Sequence, residues 1–297
     1  MSKLKLGVIG MSQGNGHPFS WSAIFNGYEL SAMEKCGFPV ILEYLEKQDF
    51  PNDFLTDYAS VDGVWTQDID LSKSIVEASK ISNVYESIER LVENTDAVLL
   101  ARDDAETHLE MLKPIVEKGK AVFVDKPFAL NLKEAEKMFA LEQFESQIFT
   151  CSALRYASEF QSNKLRFNPD DILEVEAFTP KYWNTYAMHI LEPSFNILND
   201  WSAIRKHTLS LDGEQSELHL IKESGRSFKF RSTGNKASQI MLRFKTAHDM
   251  QELIFQDSFN AFKSSLSKFI EQVNSGKRMI PKEQSLHLVE CLELGQA

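Results

Sequence analysis

Leu4-Lys5-Leu6-Gly7-Val8-Ile9-Gly10-Met11-Ser12-Gln13-Gly14-Asn15-Gly16-His17 is the stretch whose reading decides the fold of this 297-residue chain. The compact apolar run up to Ile9 reads as a buried strand, and Gly10 to Gly16 as a glycine-containing turn that opens a helix. A strand entering a helix through glycines is a setting for holding a phosphate. The backbone can approach closely, and the helix N-terminus offers N–H donors and a partial positive charge. The spacing is irregular. The dinucleotide fingerprint G-x-G-x-x-G would put glycines at 10, 12 and 15, where this chain has Gly10, Ser12 and Asn15, with its other glycines at 14 and 16. Two readings stay open for the turn by itself: a pyrophosphate cradle built on Gly10, Ser12, Gly14, Asn15 and Gly16, or an ordinary strand-to-helix connection.

Working outward, strand and helix signals alternate. Residues 19–35 have helical spacing, 61–66 read as a second strand, 71–79 as a helix and 85–92 as a short helix. Asp96-Ala97-Val98-Leu99-Leu100 is a third strand, 107–118 a helix, 121–124 a fourth strand and 132–144 a helix. Strands alternating with helices predict right-handed crossovers and a doubly wound parallel sheet, so residues 1–150 are expected to form an α/β Rossmann domain. Residues 36–60 interrupt the rhythm with Pro39, Pro51, Asn52 and Asp53, and a short helical piece over 42–47. They read as an insertion, either a surface elaboration or a loop facing substrate. After Phe149 the period changes. Residues 172–178, 208–211, 216–221, 227–231 and 239–244 alternate as strands, with Asp212-Gly213 and Ser224-Gly225 as turns, and predict a mostly antiparallel, open-faced sheet. Helices over 186–198 and 259–273 flank it, the second stopped by Asn274-Ser275-Gly276. Residues 151–297 are thus expected to be an α+β domain for substrate binding or oligomerisation.

Charge excludes some partners. With 43 acidic against 32 basic residues the formal charge is −11, which disfavours nucleic-acid backbones and anionic membrane surfaces. A single anionic ligand remains compatible, because backbone N–H groups can bind one locally. Cys36, Cys151 and Cys291 are scattered and fit neither a disulfide framework nor a zinc site, and no cluster has metal-ligand spacing. The N-terminal apolar run is too short for a signal peptide, and no apolar stretch approaches a membrane span. The expectation is a cytoplasmic protein with no metal.

Three places could carry chemistry. The first is the glycine turn, with an acidic residue after the second strand for an adenosine ribose; Asp68 is the candidate and Asp70 the next choice. The second is Val122-Phe123-Val124-Asp125-Lys126-Pro127-Phe128. A Lys-Pro pair leaves the C-terminal end of the fourth strand, the edge at which open α/β sheets bind ligands. Proline holds Lys126 extended, its ammonium favours an alkoxide-like oxygen, and Asp125 could orient it. Arg102, Asp103 and His108, which follow the third strand, join the cofactor-binding candidates. The third is Trp183-Asn184-Thr185-Tyr186-Ala187-Met188-His189-Ile190-Leu191-Glu192-Pro193. On a helix, Thr185, Tyr186, His189 and Glu192 fall near one side. His189 could exchange a proton near neutral pH, with Glu192 or Tyr186 holding its tautomer. Arg155 is a further candidate for orienting substrate.

Together these residues resemble the glucose-fructose oxidoreductase, inositol dehydrogenase and MocA family of NAD(P)-dependent oxidoreductases. The likeness runs from the first strand through Asp125-Lys126-Pro127, the counterpart of the family's Glu-Lys-Pro, to the His189 helix and on to Gly276. The resemblance implies a Rossmann domain followed by an open-faced sheet, NAD or NADP as cofactor, and hydride transfer between nicotinamide and a carbinol carbon of a sugar, cyclitol or related polyol. Lys126 would be the family's lysine, and His189 the histidine that ends its Asp-x-x-x-His element. Thr185 stands where that Asp would be, and Ala187 where Gly is usual; Glu192, one turn on, could compensate. The alternative is a non-catalytic dinucleotide or sugar binder that kept the fold. A homo-oligomer, dimer or tetramer, is expected, and Ile240, Leu242 and Phe244 could give the open sheet an apolar face for pairing.

Overall fold

The computed structural model describes residues 3–296. Its contacts divide the chain into two compact units. The first holds residues 1–128, 136–150 and 262–281; the second holds 129–135, 151–261 and 282–297. The chain passes from the first unit to the second after Thr150, while 262–281 packs with the first unit and 129–135 with the second.

In the first unit, β1 (Leu4–Ile9) is followed by α1 (His17–Asn26), α2 (Leu30–Met33) and α3 (Pro39–Leu45), then β2 (Ala59–Trp65), α4 (Ile69–Ala78), β3 (Asn83–Val84) and α5 (Ile88–Glu93). Then come β4 (Ala97–Leu100), α6 (His108–Glu117), β5 (Ala121–Val124), α7 (Leu132–Phe139) and β6 (Ile148–Thr150). The strands form one parallel sheet in the order β3-β2-β1-β4-β5-β6. Every residue of β4 and β5 is buried, as expected of strands covered on both faces. The helix expected over 19–35 ends early. Gly27 closes α1 at φ +74°, a conformation that terminates a helix, and a short second helix follows. The expected insertion, residues 36–60, consists of α3 and the loops on either side of it and runs into the first residues of β2. It is anchored by Ile41, Leu45, Phe54 and Leu55, all buried.

In the second unit, β7 (Glu174–Thr179) precedes α8 (Trp183–Tyr186) and α9 (Met188–Leu198). Next are β8 (Ile204–Asp212), β9 (Gln215–Lys222), β10 (Ser227–Ser232), β11 (Met241–Lys245) and β12 (Met250–Ile254). The helices α10 (Ser258–Ser275) and α11 (Lys282–Leu294) end the chain. The second sheet runs β12-β11-β7-β10-β9-β8 and is antiparallel except where β10 pairs parallel with β7. Its inner face is Val175, Ala177, Leu218, Leu220, Phe228, Phe230, Leu242 and Phe244, each fully buried. α11 is held by Lys222, whose buried ammonium donates to the Asp200 carbonyl at 2.8 Å and lies 2.9 Å from His287 Nε2. The expectation of an apolar open face is overturned. Leu242 and Phe244 point inward, and the other face of the sheet carries a ladder of ion pairs: Lys245 with Glu174 and Glu176, Arg243 with Glu176 and Glu252, Arg231 with Glu217. Strand pleating puts alternate residues on opposite faces, so the alternation is legible in the sequence and its direction is not. No helix among the described residues is long and apolar enough to cross a membrane.

Candidate active site

The loops leaving β1, β2, β4 and β5 meet at the C-terminal edge of the parallel sheet, and side chains cross-link them. Gln67, two residues beyond β2, accepts from Met11 N–H at 3.3 Å and donates to the Met11 carbonyl at 2.8 Å. Arg102 is buried, donates to Gln67 at 2.9 Å, and grips Asp104 through Nε at 2.8 Å and Nη2 at 2.5 Å. Burial alone would raise the Asp104 pKa, but this two-point contact with Arg102 outweighs it and holds the carboxyl below its ordinary value. Ser12 Oγ donates to Asp103 Oδ1 at 2.5 Å and accepts from Asp103 N–H at 3.1 Å. The other oxygen of Asp103 lies 3.6 Å from Lys126 Nζ.

Asp125 is buried at the end of β5. Its Oδ2 accepts from Asn15 Nδ2 at 3.0 Å and from His17 Nδ1 at 2.5 Å, while its Oδ1 accepts from Lys126 N–H at 2.8 Å. Burial pushes its pKa up, yet the charges and hydrogen bonds of His17 and Lys126, with that of Asn15, win, and the carboxyl sits below its ordinary value. His108 is fully buried, with Nε2 at 2.9 Å from the Arg102 carbonyl and Nδ1 at 3.1 Å from the Phe128 carbonyl, so it ties the β4 loop to the Lys126-Pro127 loop.

The glycines divide the work of the turn. A Cβ on Gly10 would come within 2.4 Å of Pro18, so Gly10 permits close approach of α1 to β1. Gly14 holds φ +81° in an exposed turn, and a Cβ there would meet nothing within 4 Å. The helix N-terminus departs from expectation. His17 N–H is taken by Asn15 Oδ1 at 2.9 Å, Pro18 has no N–H, and Phe19 and Ser20 both donate to the Gly16 carbonyl. The available donors are instead the N–H groups of exposed Gln13 and Gly14, which have no protein partner among the described residues. Asp68 lies past the end of β2 as the N-cap of α4, accepting from Asp70 N–H at 2.8 Å and Leu71 N–H at 3.5 Å. Asp70 is paired with Lys73 at 3.0 Å on the surface.

The second unit holds a separate buried cluster. His189, on α9, has Nδ1 at 2.8 Å from Ser152 Oγ, and its ring meets Tyr186 edge-on at 5.1 Å. Ser152 N–H donates to Glu192 Oε2 at 2.5 Å. Glu192 Oε1 pairs with Arg155 Nη1 at 3.2 Å, and Arg155 also donates to Gln284 at 2.7 Å and lies over the Trp201 ring. Burial dominates at Glu192 and holds its pKa above the ordinary value despite Arg155 and Ser152. Ser152, which sequence reasoning misses, thus holds His189 Nδ1 by its hydroxyl and Glu192 by its N–H. Tyr186 accepts from Lys181 Nζ at 2.6 Å, and the Thr185 hydroxyl donates to the Tyr182 carbonyl at 3.3 Å. Among the described residues no group of three or more His, Cys, Asp or Glu side chains could hold a metal.

Chemically, the turn can accept an anion, Lys126 can stabilise a negative oxygen, and His189 can exchange a proton. Comparison with known proteins bears on that combination. Residues 41–152 match the model of the GFO_IDH_MocA oxidoreductase family, described as an NAD-binding Rossmann fold. Over those residues the chain is similar to the Gfo/Idh/MocA oxidoreductases. A Salmonella typhimurium protein named "Putative oxidoreductase YceM" is 27% identical over 171 residues, which is 56% of this chain and 53% of the relative, so the match spans about half the length of that relative. Two solved structures share the fold across nearly the whole chain. GenD2 from gentamicin A biosynthesis, in complex with NAD, is 12% identical at a TM-score of 0.74, covering 99% of this chain and 93% of its own. Myo-inositol dehydrogenase from Lactobacillus casei, in complex with NAD(H) and myo-inositol, is 13% identical at 0.70, covering 99% and 94%. The fold of this chain, a parallel Rossmann sheet and a mostly antiparallel second sheet, is thus shared with these structures.

Proposed function

We propose that the protein is an NAD(P)-dependent oxidoreductase that moves a hydride between nicotinamide and a carbinol carbon of a sugar, cyclitol or related polyol. The observation that carries the reading is Lys126: a buried ammonium at the C-terminal edge of the parallel sheet, 3.6 Å from Asp103 and one residue from Asp125, whose carboxyl is held ionised. The match of residues 41–152 to an NAD-binding oxidoreductase family and the complexes of GenD2 with NAD and of myo-inositol dehydrogenase with NAD(H) and myo-inositol support the cofactor; the second of these complexes supports a cyclitol-like substrate.

The donor set fits a dinucleotide. Gln13 and Gly14 offer exposed N–H groups to a pyrophosphate, and the space beside Gly14 lets it approach the backbone. When bound, the nicotinamide supplies the hydride acceptor or donor. The chain supplies the rest. Lys126 favours the substrate oxygen as it gains negative charge. His189, with Nδ1 held by Ser152, takes the hydroxyl proton in oxidation and returns it in reduction. Glu192, through Ser152, and Arg155 hold that histidine's surroundings in place. Assembly into a homo-oligomer goes with this proposal and is read by sedimentation.

The test is NADH and NADPH titration by fluorescence, followed by turnover on a panel of sugars, cyclitols and uronic acids. Turnover should fall by about 10²–10⁴ in His189→Ala, with NADH binding retained, and fall at least as far in Lys126→Ala. A second reading, a non-catalytic dinucleotide-binding sensor, is favoured by one observation. Thr185, whose hydroxyl donates to the Tyr182 carbonyl, stands four residues before His189 where the resemblance implies an acid. Binding without turnover across the panel supports that reading, and failure to bind either dinucleotide removes both.

A further inference from the structure

We propose that His17 is a positioning residue that couples the glycine turn to Lys126 through Asp125, an inference that rests on the dinucleotide reading of that turn. Two carboxylates join the turn to the lysine, and each gives one oxygen to either side. Asp125 offers Oδ2 to His17 and Asn15, which belong to the turn and the first residue of α1, and Oδ1 to the Lys126 N–H. Asp103 offers Oδ1 to Ser12 and Oδ2 to the Lys126 ammonium. Backbone and side chain of Lys126 are thus each fixed by an acid that the turn also holds. A displacement at residues 12–15 cannot leave Lys126 where it was without breaking a charge-assisted bond.

His17 is built to hold its end rigidly. Its ring stacks on Trp21 at 4.8 Å and 14°, and meets Phe262 edge-on at 5.1 Å. Trp21 stacks in turn on Phe123 at 4.8 Å, and Phe123 belongs to β5, the strand that delivers Asp125 and Lys126. The imidazole therefore reaches Asp125 by a hydrogen bond at one end and the strand beneath it by ring stacking at the other. A histidine present only to fill space would not need Nδ1 at 2.5 Å from a buried carboxylate. Asn15 supplies the second bond to the same oxygen and also takes the His17 N–H, so turn and ring are fixed together.

His17→Phe keeps a stacking ring and removes the donor; His17→Gln restores a donor without the ring. Hydrogen exchange read by mass spectrometry on the ligand-free full chain tests the coupling. In His17→Phe, segment 122–130 should exchange about tenfold faster than in wild type, with the remaining strands of the parallel sheet unchanged, and His17→Gln should bring it most of the way back. NADH is the probe for the second arm. In wild type it should slow exchange in 10–17 and 122–130 together; in His17→Phe it should slow 10–17 alone. Wild-type exchange at 122–130 in His17→Phe, or faster exchange spread evenly over the whole first unit, overturns the proposal, the latter because it marks a merely structural role. If NADH slows nothing in wild type, the dinucleotide reading fails, and the ligand-free comparison still decides whether His17 and the Lys126 segment are coupled.

Discussion

Asp125 in the first unit and Glu192 in the second are both buried acids at the heart of a candidate site, yet their carboxyls are driven in opposite directions. Burial is the largest influence on each and favours the neutral acid in both. The outcome turns on what faces the oxygens. Asp125 has a histidine at 2.5 Å, an asparagine, a main-chain N–H and the neighbouring Lys126 charge, and these together overcome burial. Glu192 has Arg155 at 3.2 Å and the Ser152 N–H, and these do not. Depth alone does not set ionisation; the number of groups that prefer the charged form does. The first site is thereby fixed as an electrostatic clamp, whereas the second leans toward a neutral acid that shares Ser152 with His189.

Isosteric amides should break this comparison most sharply. Asp125→Asn removes the charge that His17 and Lys126 both answer, leaves a buried pair without its acid, and should cost about 3–5 kcal/mol in urea denaturation. Glu192→Gln removes a charge that burial already opposes and keeps a group able to bond Ser152, so it should cost about 1 kcal/mol. Equal losses from the two would show that the carboxyls are alike after all.

The same contrast should appear in pH dependence with opposite sign. Asp125 has its folded pKa below the ordinary 3.8, so its contribution is present above that value and is lost as pH falls through the folded pKa. Glu192 has its folded pKa above the ordinary 4.5, so its contribution is present below 4.5 and is lost as pH rises through the folded pKa. Between pH 7 and 4.5 the stability gap between wild type and Glu192→Gln should therefore widen on acidification. The gap between wild type and Asp125→Asn should hold there and narrow only below 3.8. Parallel curves in both windows would remove the electrostatic account.

What is legible in the sequence follows from distance along the chain. The strands β4 and β5 are unbroken apolar runs, β1 is broken only at Lys5, and Lys126 stands out because a Lys-Pro pair ends β5. His17 escapes notice because its partner is 108 residues away, and Ser12 and Asp103 are 91 apart, so nothing local marks either pair. Ser152 is hidden for the same reason, 37 residues before His189. β3 and β6 have two and three residues, too few to show a period, and β12 is an edge strand whose residues are mostly part-exposed. The long helix expected over 19–35 fails at one residue, Gly27, whose positive φ no neighbour announces.

Asp68 offers the smallest and finest test of how far the comparison extends, because it is a third acid but an exposed one. Its sequence position suggests a ribose ligand, and its carboxylate caps α4 through Asp70 N–H and Leu71 N–H. A cap of this kind contributes about 1 kcal/mol, since it satisfies a helix N–H that would otherwise face only water. Asp68→Ala should therefore lower stability by about that amount while leaving NADH affinity within about twofold. Asp68→Asn, which keeps a capping oxygen, should recover most of the stability. If affinity for NADH instead falls tenfold or more in both variants, the carboxylate must leave the helix end to bind the ribose. Its charge would then be serving the cofactor, and the division between fixed buried acids and uncommitted surface ones would not hold at this edge of the sheet.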